Sequence, residues 1–227
     1  HKVIKISKSK KFNKAKIIYC PPYTLLNSII NKLKKTRIEV GTQNCHQSSS
    51  NGPFTGFISS QMIKSLGCNY VILGHSESRN SGDTGLLIKK KIKASLGDNL
   101  NVLFCIGKTN KEKKEKKTKK ILIKQIKNGL RKIKNIKKII IAYEPVWSIG
   151  TNKIPQMNEL KNTIKFIKNK FKKILKTKKS PIVLYGGSVS AKNIRLFSSI
   201  SEIDGFLIGG ASQSSKKFID IVRNYYK

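Results

Sequence analysis

The sequence predicts an α/β fold, a parallel sheet covered by helices. Seven short, continuous apolar runs rich in β-branched residues alternate with lysine-faced segments whose apolar residues recur every three or four positions. A strand buried on both faces needs an unbroken apolar run, and the helical period gives each connection one stripe to lay on the sheet. No linker rich in Pro, Gly or Ser divides the 227 residues, so one domain over 1–227 is expected. A doubly wound open sheet and an eight-stranded barrel both fit this alternation.

In chain order, the strands are expected at 15–20 (AKIIYC), 38–43 (IEVGTQ), 70–74 (YVILG), 101–107 (NVLFCIG), 138–144 (KIIIAYE), 181–187 (PIVLYGG) and 205–210 (GFLIGG). Amphipathic helices are expected at 25–33, 58–67, 121–133, 160–175 and 218–226, where apolar residues repeat at helical spacing. The run NKEKKEKKTKK, from Asn110 to Lys120, mixes glutamates into lysines and reads as the exposed start of the third of these helices.

Composition excludes several classes. At 38% hydrophobic residues, with no apolar stretch of about 18–20 residues and no signal-peptide core, the chain reads as a cytoplasmic globular protein with no membrane partner. Cys20, Cys45, Cys68 and Cys105 show no CxxC and no His/Cys metal spacing, which predicts buried thiols and neither a disulfide framework nor a metal site. The formal charge of +37 admits a nucleic-acid or acidic-surface binder. The lysines are spread over nearly every polar segment without an aromatic-interleaved strand or an Arg-rich patch, so no specific nucleic-acid partner is expected.

In a parallel α/β fold the chemistry gathers at the carboxyl ends of the strands. Here those ends carry Gln43-Asn44, GHSESR (74–79), CIGK (105–108), Glu144, GGS (186–188) and GG (209–210). Glycine turns that open toward a helix can hold a phosphate on bare backbone N–H groups. Two of them on the last two strands match the phosphate site commonly built late in a barrel.

The segments TQNC, GPFTG, GHSESR, AYEPVWSIGT, YGGSV and DGFLIGGAS resemble, in order and spacing, those of the triosephosphate isomerase family, from about Pro21 to the end. The resemblance implies a homodimeric (β/α)₈ barrel that interconverts dihydroxyacetone phosphate and glyceraldehyde 3-phosphate in glycolysis without a cofactor. It implies Glu144 as the base beside the carbonyl and His75 as the electrophile, with Ser76 and Glu77 as their companions. Glu77 carries a charge that is costly to bury without partners. Gly150, Ser188, Gly209 and Gly210 resemble the phosphate-binding positions. Pro145, Val146 and Trp147 resemble the first hinge of a mobile lid, a device of which this family is itself the familiar example. Closing that lid dries the base and shields an enediolate phosphate from elimination. The loop 44–56 resembles the family's projecting dimer loop, with Thr55 reaching the neighbouring subunit.

The departures are specific. The family's first strand, with its asparagine and lysine, has no counterpart here: the opening HKVIKISKSKKFNK most resembles the first helix and its exit, and the chain begins with His1. The expectation is that this strand is absent from the given sequence. The alternative is a degenerate strand at VIKI and a lost catalytic lysine. Phe57 stands where the family has a glutamate, Ser78 where it has the first of two arginines, and Lys108 where it has an acid. A second function class therefore stays open, an inactive or moonlighting basic barrel that binds nucleic acid or acidic surfaces.

Overall fold

The computed structural model describes residues 2–108, 112, 115, 117–151 and 153–226. Seven strands form one sheet in strictly sequential order, β1 (Ile18–Tyr19), β2 (Glu39–Thr42), β3 (Tyr70–Leu73), β4 (Asn101–Lys108), β5 (Ile139–Pro145), β6 (Ile182–Tyr185) and β7 (Gly205–Phe206). Every predicted strand is present. The first and last shrink to two residues, because only Ile18–Tyr19 and Gly205–Phe206 meet a neighbouring strand in register. The chain divides into two compact units, residues 1–104 with 133–139, and residues 105–132 with 140–227.

In the first unit β1, β2, β3 and the start of β4 pair in parallel, with Ile18 opposite Glu39, Gly41 opposite Tyr70 and Val71 opposite Val102. Val71, Leu73 and Val102 are fully or almost fully buried, as a sheet covered by helices demands. The helices are α1 (Lys2–Ser7), α2 (Leu26–Leu33), α3 (Ser60–Ser65), α4 (Ser76–Asn80) and α5 (Gly85–Gly97). α3 and α5 open on hydroxyl caps, Ser59 accepting from the Met62 amide and Thr84 from the Leu87 amide, each at 3.2 Å. The run VIKI lies inside α1, which overturns the alternative of a degenerate strand there.

In the second unit β5 pairs with β6, Ile141 opposite Val183, and β6 with β7, Leu184 opposite Gly205, both in parallel. Its helices are α6 (Thr118–Leu130), α7 (Met157–Leu175), α8 (Ile194–Ser198) and α9 (Ser215–Tyr225). The apolar stripes lie where the periodicity put them: Leu122 and Ile126 of α6, and Leu160, Ile164, Ile167 and Phe171 of α7, are buried. The basic run 110–120 lies largely outside the described residues.

Cys45, Cys68 and Cys105 are buried thiols in no disulfide, whereas Cys20 is only half-buried. Burial pushes the Cys20 thiol up to about 12 and those of Cys45 and Cys68 up to about 11, so at neutral pH they are protonated and poor nucleophiles.

Candidate active site

Glu144 ends the apolar part of β5 and is 2% exposed. Two glycines let the neighbouring strands come this close. A Cβ on Gly107 would sit 1.8 Å from the Glu144 carbonyl oxygen, and one on Gly186 would sit 3.2 Å from Glu144 Cγ. Gly107 is held by Gln125 of α6, whose side-chain oxygen accepts from the Gly107 amide and whose nitrogen donates to the Gly107 carbonyl, each at 2.9 Å. Gly186 donates to the Tyr143 carbonyl at 2.8 Å. A rigid frame thus fixes the backbone that carries the carboxylate. Gly107→Ala forces β4 and β5 apart. Its expected cost is about 1–3 kcal/mol of stability, which denaturant unfolding of the variant checks.

Directly after the acid, Pro145 is buried, Val146–Ser148 form a 3₁₀ turn and Trp147 is half-buried. Gly150 has φ +69° and is exposed, a left-handed conformation that a side chain would strain. Ser148, which sequence reasoning passed over, is fully buried at the hub of this segment. Its hydroxyl donates to the Lys153 carbonyl, accepts from the Ser188 amide at 3.3 Å and lies 3.4 Å from the Tyr185 hydroxyl. The following turn is closed by Asn193, which accepts from the Ser190 amide at 2.8 Å and donates to the Ser188 carbonyl at 3.1 Å. Gly209 and Gly210 are exposed, and beyond their chain neighbours no atom of the described residues lies within 4 Å of a Cβ built on either, so their backbone is open to an incoming ligand. The predicted strand 205–210 ends at Phe206, and Gly210 already begins a 3₁₀ turn.

In the first unit, His75 is the N-cap of α4, and its Nδ1 accepts from the Glu77 amide at 3.3 Å. Ser76 is buried. Glu77 is not: its side chain is 85% exposed, 3.7 Å from His75 Nδ1, so the expected burial cost does not arise. The helical turn aims it outward. Arg79, the retained arginine beside Ser78, donates from Nε to the Gly74 carbonyl at 2.7 Å.

The loop 44–56 has no regular secondary structure and is organised by His46, whose ring packs on Phe54 and Phe57 at centroid distances of 4.5 and 4.8 Å. Thr55 is exposed, and Phe57 is 61% exposed. At its base, Asn44 accepts from Lys91 Nζ at 3.1 Å, and the same ammonium meets both oxygens of Asp83 at 2.8 and 2.9 Å, with both charged side chains nearly buried. Lys108, at the position where the family has an acid, is enclosed. It is 2% exposed, donates to Thr118 Oγ1 and lies 3.6 Å from Glu159 Oε1 in the first turn of α7.

A sequentially ordered parallel sheet with helices between its strands, a buried carboxylate at one strand end and glycine-bearing turns after the last two strands fit the α/β-barrel class of enzymes. A family model for triosephosphate isomerase matches residues 2–225. The triosephosphate isomerase of Dictyoglomus thermophilum is 39% identical over 224 residues, 96% of this chain and 90% of that protein. That of Endomicrobium trichonymphae is 36% identical, over 91% of this chain and 84% of its own length. A crystal structure of triosephosphate isomerase from Bartonella henselae aligns with a TM-score of 0.85 at 34% identity, over 93% of this chain and 86% of that one. The chain belongs to the triosephosphate isomerase family.

Proposed function

We infer that this chain interconverts dihydroxyacetone phosphate and D-glyceraldehyde 3-phosphate through an enediolate, in glycolysis and gluconeogenesis. Membership of the family along nearly the whole chain carries this reading. The site assignments go further, as proposals. Glu144 removes the proton from the carbon beside the carbonyl. His75 donates to the carbonyl oxygens as charge develops there. Ser76 and Glu77 accompany it. Gly150, Ser188, Gly209 and Gly210 hold the phosphate on backbone N–H groups, and Pro145, Val146 and Trp147 begin the lid. Binding a remote dianion supplies energy that lowers the barrier at the reacting carbon.

The enzyme is proposed to act as a homodimer of single barrel domains in the cytoplasm, with Thr55 at the subunit contact. The exposed aromatic ring of Phe57 supports this, being an apolar group that a second subunit would cover. No helix among the described residues is long and apolar enough to cross a membrane. The family's Asn/Lys-bearing first strand is read as absent from this sequence, supported by the helical state of Lys2–Ser7. The basic-scaffold alternative has no observation in its favour beyond net charge.

The test is proton NMR of the purified protein with D-glyceraldehyde 3-phosphate in deuterium oxide. Dihydroxyacetone phosphate should form, and the reacting carbon should take up deuterium as the enediolate exchanges its proton. His75→Gln should lower kcat by about 10²-fold or more. Conversion without deuterium uptake, or an undiminished His75→Gln enzyme, would sink the mechanism.

A further inference from the structure

We propose that Ser148 is a latch that ties the lid segment to the phosphate loop and competes with the substrate phosphate for the Ser188 amide. The inference rests on Ser188 being a phosphate donor, as read above. Ser148 sits four residues after Glu144, inside the segment 146–156 that joins β5 to α7. A serine hydroxyl has one proton and two acceptor lone pairs. Here the proton goes to the Lys153 carbonyl, later in the same segment, and the oxygen receives the Ser188 N–H at 3.3 Å. With its proton committed, Ser148 can only accept from Tyr185, 3.4 Å away. Burial pushes the Tyr185 phenol up to about 12, so it holds the proton this contact needs.

The geometry is built closely around this oxygen. A Cβ on Gly187 would lie 3.0 Å from Ser148 Oγ and 2.2 Å from the Tyr185 hydroxyl oxygen, so only glycine lets the two segments approach. Ser148 is itself fully buried, which keeps water from substituting for the lost partner. An amide N–H makes one well-aligned hydrogen bond at a time. A phosphate oxygen that takes the Ser188 N–H must therefore displace Ser148 Oγ, and the freed hydroxyl loosens the tie between residue 148 and the phosphate loop. Phosphate arrival and release of the lid become one event.

The competition sets a direction. Removing the hydroxyl should strengthen phosphate binding, because the ligand no longer breaks an existing bond. Ser148→Ala is expected to bind inorganic phosphate about threefold to tenfold more tightly than the parent in calorimetric titration, the range expected for one neutral hydrogen bond. The KM for glyceraldehyde 3-phosphate should fall by a similar factor, while kcat does not rise. Trp147 is the one tryptophan in the sequence and adjoins Ser148, so its emission reads the segment without any assay of activity. In phosphate-free Ser148→Ala it should already be shifted toward the value of the phosphate-saturated parent.

If the alanine variant does not fold, Ser148→Cys fills the site with a weak acceptor and should show the same tightening. Equal or weaker phosphate binding in the folded variant overturns the latch and leaves the phosphate site standing. A parent protein that binds no inorganic phosphate at millimolar concentration overturns the phosphate site as well as the latch.

Discussion

Glu144→Gln should lower kcat by about 10²–10⁴-fold, the range in which a positioned general base contributes, with little change in KM. The amide is nearly isosteric with the carboxylate, so the frame of Gly107, Gly186 and Gln125 around it is kept. What the chemistry loses is a proton acceptor at the end of β5. Glu144→Asp keeps the acceptor but withdraws it by one methylene, and misplacement on the scale of an ångström is expected to cost about 10²-fold. Glu144 is 2% exposed, so the glutamine variant, which keeps the side-chain volume, should stay folded, whereas the aspartate removes a buried methylene and should cost about 1 kcal/mol. Steady-state kinetics together with a thermal melt decide the point. A kcat within threefold of the parent, or a loss of activity that merely tracks a loss of fold, would remove Glu144 from the chemistry.

Asp83→Ala should produce the largest loss of stability, about 3–5 kcal/mol, because it leaves the buried Lys91 ammonium without its carboxylate. At this chain length the loss lowers the melting temperature by roughly 10 °C. Asn44 Oδ1 remains within 3.1 Å of the ammonium, but a neutral amide oxygen does not replace a charge. The double replacement Asp83→Leu with Lys91→Met should be much milder than Asp83→Ala alone, since an apolar pair of similar volume removes both desolvated charges together. Should the single variant melt within 2 °C of the parent, the pair is not the anchor its burial implies.

Much of this protein is readable one segment at a time. All seven strands stand out as apolar runs, most plainly β3, β4 and β5, whose burial on both faces leaves little room for polar alternation. α6 and α7 stand out because their stripes, Leu122 and Ile126 in one and Ile164, Ile167 and Phe171 in the other, keep the helical period. The acid, the imidazole and the glycine turns sit at strand ends and within short motifs, so their identity needs no knowledge of distant residues. α5 is harder to read for a definite reason. Lys91 and Ser95 lie on its buried face, and polar residues there blur the period that would announce it. Their partners, Asp83 and Asn44 for the lysine and Cys45 for the serine, are brought to them by the fold.

Lys108 and Glu77 show the same limit from opposite sides. A lysine in a lysine-rich chain reads as solvated, yet Lys108 is enclosed beside Thr118 and Glu159. Glu77, next to the histidine, reads as a charge that needs burial partners, yet the turn of α4 leaves it in solvent. Ser148 is one small residue in a loop until Tyr185, Lys153 and Ser188 close around it. Chain-local patterns of apolarity, glycine and capping groups thus dictate which elements form and which chemical groups stand at their ends. Burial, protonation partners and hydrogen-bond competition depend on atoms tens of residues away, and those are assigned only when packing brings them within a few ångströms.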